Sequence, residues 1–135
     1  MDKRLDAQQR YIDTSPFWDG VRDRRLMLQY CLDSQRFQHP PRPVSTFTGS
    51  RRLDWRQASG RGRVLTYTRI VPKTSDDKKS ICIVTVRLEE GVSLIGKLLG
   101  PGSEEVKVGM AVKLEWEVNA NGDAYPAFAV NESAT

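Results

Sequence analysis

The fold is decided by the stretch Ser59-Gly60-Arg61-Gly62-Arg63-Val64-Leu65-Thr66-Tyr67-Thr68-Arg69-Ile70. Its glycines predict a turn, because glycine adopts backbone conformations that other residues avoid. The β-branched and aromatic residues that follow favour a strand. Strict alternation would place Val64, Thr66, Thr68 and Ile70 on one face and Leu65, Tyr67, Arg69 and Val71 on the other, until Pro72 ends the ladder. We therefore predict that this stretch is the first long strand of a β-barrel.

Four further strand patterns follow, and turn residues separate each from the next. They cover residues 80–88, 92–99, 110–118 and 125–130. Glu89-Glu90-Gly91 and Asn119-Ala120-Asn121-Gly122-Asp123 have the composition of hairpin turns. Five short strands with regular turns in about 70 residues are typical of a small closed barrel of the OB type.

Length and composition restrict the protein class. A chain of 135 residues with 39% hydrophobic residues predicts one compact domain with a small appendage. The sequence contains no apolar run near the roughly 20 residues that a membrane helix needs. The N-terminus is too polar for a secretory signal, so a cytoplasmic protein is expected. The sequence leaves undecided whether Cys31 and Cys82 form a disulfide, although a cytosolic chain would keep them as thiols.

Charge divides the chain into two unlike halves. Residues 1–73 hold 15 Lys and Arg against 7 Asp and Glu, whereas residues 74–135 hold 6 against 10. An arginine-rich half can face a phosphorylated cofactor or nucleic acid, because guanidinium groups pair with phosphate. A solvated surface or a protein interface explains the same charge equally well, since net charge does not identify a partner.

The region before the barrel carries signals for a short helix and a hairpin. Ser15 followed by Pro16 predicts a helix start, with Ser15 as N-cap, and Gly20 predicts that the helix stops or loosens there. Phe17 and Trp18 would form its buried side. Residues 26–31 and 36–39 then read as two strands of a hairpin.

The spacing of Cys31, Ser34, Ser45 and Thr48 repeats that of two zinc knuckles. A structural zinc site would need four thiolate or imidazole ligands at such positions. Here one position is cysteine and three are hydroxyl residues, which are poor zinc ligands. The pattern therefore predicts a zinc ribbon without its metal, and His39 nearby does not complete a ligand set.

Several motifs, in this order, resemble one known family, whose members join an N-terminal rubredoxin-like zinc ribbon to a C-terminal OB-fold. The family was long labelled a domain of unknown function, and its members act with acyl-CoA enzymes. The matching residues are Ser15-Pro16-Phe17-Trp18, Cys31, Pro41-Arg42, Trp55, the turn 59–62, Val64 to Thr68, Leu88 to Gly91, Gly109-Met110 with Val112, and Pro126 with Phe128. The departure lies at the ligand positions, where Ser34, Ser45 and Thr48 stand in place of cysteine.

The resemblance implies a mainly β protein in three parts. These are an N-terminal helical arm at 1–25, a degenerate and metal-free zinc-ribbon-like segment at 26–56, and a five-stranded OB-fold barrel at 57–135. It also implies a non-catalytic accessory subunit in a hetero-oligomer. The partner would be a larger catalytic subunit of thiolase, aldolase or hydratase fold acting on a CoA thioester, and a steroid side chain is one candidate acyl group.

Six residues are candidates for contact with the partner or with CoA. Arginines are suited to phosphates or acidic surfaces, and aromatic residues are suited to interface anchors, although a core position explains Trp18 and Trp55 as well. The candidates are Arg42, Arg61, Arg63, Phe17, Trp18 and Trp55.

Neither a catalytic centre nor a cofactor motif emerges from the sequence. His39 is the single histidine and has no partner at a recognisable catalytic spacing. A P-loop and a dinucleotide fingerprint are both missing. The alternative to an accessory subunit is an OB-fold that binds single-stranded nucleic acid through Arg61, Arg63, Arg69 and Tyr67. The net negative charge after residue 73 and the 8% content of aromatic residues favour the accessory subunit.

Overall fold

The computed structural model describes residues 14–71 and 80–132. These residues form two compact units, one of residues 14–58 with 90–92 and one of residues 59–89 with 93–132. Within the described ranges, no helix has the length and apolar character needed to cross a membrane. The first 13 residues of the predicted arm, as well as Pro72, lie outside the described residues.

The first unit contains helix α1 and a three-stranded antiparallel sheet. Helix α1 spans Ser15–Arg22, and the strands are β1 (Met27–Cys31), β2 (Arg36–Gln38) and β3 (Leu53–Gln57), in the order β2-β1-β3. The predicted hairpin is confirmed, because β1 and β2 pair from Cys31 opposite Arg36 to Gln29 opposite Gln38. Strand β3, which pairs along the whole of β1, was not predicted.

The start of α1 differs from the prediction by one residue. Thr14, not Ser15, is the N-cap, and its carbonyl accepts hydrogen bonds from the amides of Phe17 and Trp18. The Thr14 hydroxyl makes no cap bond to the backbone; instead, Trp18 Nε1 donates to it at 3.1 Å. Pro16 suits the first turn because its missing N–H has no intrahelical acceptor there.

Gly20 does not end α1, and this prediction was wrong. It is buried inside the helix, which continues to Arg22. A Cβ at this position would lie 2.6 Å from both the Arg25 carbonyl oxygen and Met27 Cγ. Glycine is therefore required for the close approach of the helix to the segment that enters β1.

The second unit is a closed five-stranded barrel, as predicted. Its strands are β4 (Arg61–Ile70), β5 (Ile81–Leu88), β6 (Ser93–Leu99), β7 (Ala111–Val118) and β8 (Ala124–Val130), with a 3₁₀ turn at Ser103–Glu105 before β7. The order around the barrel is β4-β5-β6-β8-β7, and β7 closes onto β4. The β6–β8 pair is parallel and the others are antiparallel.

Side chains from all five strands fill the barrel. They include Val64, Cys82, Val84, Val86, Leu88, Leu98, Val112 and Phe128. Alternate positions of β5 are buried, so the intervening residues of β5 lie on the outer surface. Cys82 is a free thiol inside this core, and Cys31 is a free, buried thiol in the first unit.

A β-bulge interrupts the alternation predicted for β4. Val64 lies opposite Val86, but Thr66 lies opposite Thr85, so Leu65 is an extra residue. The backbone of Val64 is held from the other side, since it accepts from the Gly109 amide and donates to the Met110 carbonyl. Val64 therefore points into the barrel while Thr66 and Thr68 share the outer surface, and the prediction of one common face was wrong.

Candidate functional site

The four positions with knuckle spacing surround one sulfur atom. Cys31 is buried at the end of β1, and the Ser34 amide donates to its Sγ at 3.4 Å. Thr48 Oγ1 lies 3.8 Å from the same sulfur. Ser45 Oγ accepts from the amides of Phe47 and Thr48. Three of the four predicted ligand positions thus hold hydroxyl residues close to the sulfur of the fourth.

These hydroxyl groups change the acidity of the thiol. The pKa of Cys31 is lowered from 9.0 to about 6, first by the Ser34 hydroxyl and then by that of Ser45, while burial acts in the opposite direction. Ser34 Oγ is buried and has no well-aligned hydrogen-bond partner in the described ranges. Its O–H can therefore turn toward the sulfur, where a thiolate is a better acceptor than a thiol.

This donor set does not fit zinc. Zinc in structural sites takes four thiolate or imidazole ligands, and a hydroxyl group cannot supply the missing negative charge. The oxygens of Ser45 and Thr48 already accept backbone hydrogen bonds. Across the described part of the chain, no group of three or more His, Cys, Asp or Glu side chains is arranged to hold a metal ion.

Two buried glutamines form hydrogen bonds to the ribbon loop, the segment 39–52 between β2 and β3. The sequence analysis did not identify them. Gln29 and Gln38 are each 4% exposed and lie opposite one another on β1 and β2. Gln29 Oε1 accepts from the Arg42 amide at 2.8 Å and its Nε2 donates to the Arg42 carbonyl at 2.9 Å. Gln38 donates to Gln29 Oε1 and to the Val44 carbonyl, and accepts from the Thr46 amide. The two amides thus fix the proline-rich segment to the sheet.

The three candidate arginines have different surroundings. Arg42 is exposed on the ribbon loop, and its backbone is the part held by Gln29. Arg61 makes a two-point ion pair with Glu89, at 2.8 and 2.9 Å, which lowers the pKa of that carboxyl group. Arg63 donates to the Gly109 carbonyl at 3.0 Å. Arg61 and Arg63 therefore lie together on the outer barrel surface, while Arg42 belongs to the other unit.

The candidate aromatic residues all lie in the first unit and are partly buried. The rings of Phe17 and Trp18 meet edge to face, with their centroids 5.1 Å apart. Phe17 also faces the His39 ring, at a centroid distance of 5.8 Å. Trp55 lies on β3 opposite Gln29. These contacts give the aromatic residues a packing role, and their partial exposure leaves surface for a partner.

A fourth arginine joins the basic surface of the barrel, and sequence reasoning missed it. Arg87 on β5 lies directly opposite Arg63 on β4, and both side chains are exposed. Neither guanidinium has a carboxylate partner among the described residues. Arg63 and Arg87 face each other because the bulge at Leu65 shifts the β4–β5 register by one residue. No pattern in the sequence predicted this bulge.

Comparisons with known proteins place these features in a family. Residues 55–117 match the family model described as ChsH2, C-terminal OB-fold domain. The chain is 30% identical over 105 residues to a DUF35 domain-containing scaffold protein of Pyrococcus furiosus, covering 76% of this chain and 77% of that protein. It is 35% identical over 102 residues to the 3-oxo-4,17-pregnadiene-20-carboxyl-CoA hydratase alpha subunit of Mycobacterium tuberculosis. That match covers 75% of this chain and 32% of the relative, so the chain spans about a third of that relative's length.

Solved structures agree with the described fold. A chain of the Ltp2-ChsH2(DUF35) aldolase matches with a TM-score of 0.76 and 26% identity, covering 87% of this chain and 93% of that chain. A DUF35 protein of unknown function from Sulfolobus solfataricus matches with a TM-score of 0.62 at 17% identity, over 87% of this chain and 84% of that chain, which bears on the fold alone. The OB-fold predicted from the strand pattern is confirmed. The chain belongs to the DUF35 family.

Proposed function

We propose that this protein is a non-catalytic accessory subunit of an enzyme that acts on acyl-CoA substrates. The observation that carries the proposal is the match to a chain of the Ltp2-ChsH2(DUF35) aldolase, which extends over 87% of this chain and 93% of that one. Relatives described as hydratase alpha subunits and as a scaffold protein support the same role. The partner is a larger catalytic subunit of aldolase, hydratase or thiolase fold.

The chemistry of the described residues supports an accessory role over a catalytic one. His39 is the single histidine of the chain, and burial lowers its pKa. Its Nδ1 is buried without a hydrogen-bond partner in the described ranges, so no acid orients the ring. A general base needs an orienting partner and access to a substrate proton. Cys82 lies in the barrel core, which is where a small packing residue belongs.

In this role the ribbon and the barrel present surfaces to the catalytic subunit. Arg42, Arg61 and Arg63 are the candidate contacts for the partner or for CoA phosphates, and Phe17, Trp18 and Trp55 are the candidate aromatic anchors. The hydrogen bonds of Gln29 and Gln38 hold the ribbon in place of a metal ion. A steroid side chain is one candidate substrate, by analogy with the pregnadiene-carboxyl-CoA relative.

The proposal is tested by acyl-CoA turnover with separated and recombined subunits. We expect this chain alone to show no turnover, and the catalytic subunit purified with it to lose activity when this chain is removed and to regain it on recombination. Turnover by this chain alone, or a catalytic subunit that is fully active and stable without it, would contradict the proposal. Tight, salt-sensitive binding of single-stranded oligonucleotides would favour the nucleic-acid alternative.

A further inference from the structure

The outer surface of β4, β5 and β6 carries rows of isoleucine and threonine side chains. On β5, Val84 and Val86 are buried in the barrel, so Ile83 and Thr85 point outward. The register places further residues of β4 and β6 in the same rows as these two. We call this set the outer ladder face; its members are Thr66, Thr68, Ile70, Ile83, Thr85 and Ile95.

Large aliphatic side chains on this face are exposed to solvent. Ile95 is 69% exposed and Ile70 is 49% exposed. Lys97 lies within these rows, in line with Thr68 and Ile83, and its charge is neutralised by Glu117 at 2.9 Å. A surface that mixes apolar and polar side chains is typical of a non-obligate protein interface.

One end of the face carries an unbalanced positive charge. Arg63 and Arg87 lie directly opposite one another, in the row next to Thr66 and Thr85. Like charges at directly opposite ladder positions are destabilising. The described residues supply no carboxylate to this pair, and Arg63 is bonded only to the neutral Gly109 carbonyl. A carboxylate from outside the chain would relieve the repulsion.

We propose that the outer ladder face and the arginine pair Arg63–Arg87 together dock a protein surface that presents aliphatic side chains beside at least one carboxylate. This inference rests on the proposed function, and the occupant is the catalytic acyl-CoA enzyme subunit.

The charges and residue types argue against two other occupants. In a two-fold contact between copies of this chain, each face would meet the same face. The face holds no carboxylate, so a second copy would not neutralise Arg63 and Arg87. Single-stranded nucleic acid needs aromatic side chains on which bases stack, and the six face residues include none.

The size of the face makes it the centre of an interface and not the whole of it. Strands lie about 4.8 Å apart and rise about 3.4 Å per residue, so three strands over five residues cover roughly 10 by 17 Å. A stable interface buries about 800 Å² on each partner. Central, well-packed residues carry most of the binding energy, so single changes on this face have large effects.

The first test places a charge at the most exposed aliphatic residue of the face. We expect Ile95→Asp to raise the Kd for the purified acyl-CoA enzyme subunit by about tenfold or more. Val118→Asp is the matched control, because Val118 is a 48% exposed aliphatic residue on β7 outside the face, and its Kd should stay within about twofold of wild type. Thermal unfolding of each free variant verifies that it folds.

The second test reverses the arginine pair. Arg63→Glu with Arg87→Glu should weaken the complex by about tenfold or more and reduce the salt dependence of its association rate. Arg51→Glu, an exposed arginine of the other unit, should leave both unchanged. Hydrogen exchange of the wild-type complex should show slower exchange in β5 and β6 than in the free chain.

The outcomes separate this inference from the proposed function. A complex that forms normally with Ile95→Asp and with the double glutamate variant, without protection of β5 and β6, overturns the inference and leaves the accessory role intact. If no acyl-CoA enzyme subunit associates with the wild-type chain, both fail. A homodimer that Ile95→Asp disrupts would assign the face to a second copy and overturn the inference.

Discussion

At the scale of single residues, Cys31 occupies the first of the four positions with knuckle spacing. The sulfur is surrounded by Ser34, Ser45 and Thr48, and its pKa is lowered to about 6. A thiolate in a nest of hydroxyl and amide groups keeps part of the electrostatics of a zinc site without the ion.

The lowered pKa predicts a dependence of stability on pH. The pKa of Cys31 is about 6 in the folded chain and 9.0 for an ordinary cysteine, so between these values the unfolded chain binds more protons. The contribution of Cys31 to the free energy of unfolding is complete above pH 9.0, declines as the pH falls and is lost at about pH 6. We expect the Tm of the protein to fall between pH 9 and 6, and the Cys31→Ser variant to lose this part of the slope.

Cys82→Ser is the control for this measurement. It changes a free, buried cysteine of the barrel core, away from Cys31 in the other unit. The variant should shift the Tm at every pH while it retains the slope of wild type. Equal slopes in wild type and Cys31→Ser would show that the thiol does not ionise between these limits.

Gln38 carries a second prediction at this scale. Gln38→Leu leaves the Thr46 amide and the Val44 carbonyl without partners, and an unsatisfied buried polar group costs about 1–3 kcal/mol. We expect the free energy of unfolding in urea to fall by about 2 kcal/mol or more. Gln57→Leu, an exposed glutamine on β3, should change it by less than about 0.5 kcal/mol. Equal effects of the two substitutions would show that the hydrogen bonds of Gln38 do not stabilise the loop.

At the scale of elements, the sequence predicts those strands whose turns and alternation are strong. The barrel strands and the β1–β2 hairpin follow from turn residues and β-branched runs. Strand β3 does not, because Leu53-Asp54-Trp55-Arg56-Gln57 has two charged residues in five and is stabilised by pairing with β1. The bulge at Leu65 arises from contacts with residues 109 and 110, far along the chain, so no local pattern predicts it.

The candidate site shows the same limit. Arg61 and Arg63 stand out in the sequence because they flank a glycine, whereas Arg87 gains its significance only from its position opposite Arg63. Gln29 and Gln38 lie in strands where buried side chains are usually apolar, and their role depends on a loop 13 and 6 residues away. The roles of Arg87, Gln29 and Gln38 therefore depend on strand register and loop placement. Local sequence patterns do not encode either of these.

Gly62 on β4 gives a prediction about strand packing. A Cβ there would lie 2.5 Å from the Arg87 carbonyl oxygen and 2.6 Å from Val86 Cγ1, so the backbone of β5 would have to shift. We expect Gly62→Ala to lower the free energy of unfolding by about 1–3 kcal/mol. At Gly96 on β6 the nearest atoms are at 3.4 Å, an ordinary contact, so Gly96→Ala should be nearly neutral. A neutral Gly62→Ala would contradict the described β4–β5 packing.

The ribbon gives a prediction about metal binding. Zinc–sulfur bonds of about 2.3 Å in a tetrahedron place ligands about 3.8 Å apart. The separation of Cys31 Sγ and Thr48 Oγ1 is 3.8 Å, so the ribbon retains the spacing of a metal site. We expect the triple variant Ser34→Cys, Ser45→Cys, Thr48→Cys to bind about one zinc per chain in elemental analysis. Absence of zinc from a folded triple variant would contradict the ribbon geometry.

At the scale of the whole molecule, the chain combines a ribbon held by amide and hydroxyl hydrogen bonds with an OB barrel. The ribbon does not need to hold a metal in order to present Arg42, Phe17, Trp18 and Trp55. The barrel contributes Arg61, Arg63 and an exposed apolar face. Sites and surfaces decide function and the fold alone does not, so the proposed accessory role is tested by what the chain binds.

The most direct measurement is native mass spectrometry of this protein purified from its own cells, with identification of each bound chain. The accessory role predicts a stoichiometric complex with a larger subunit of an acyl-CoA aldolase, hydratase or thiolase. Recovery of the chain alone, or with nucleic acid in place of such a subunit, would contradict it.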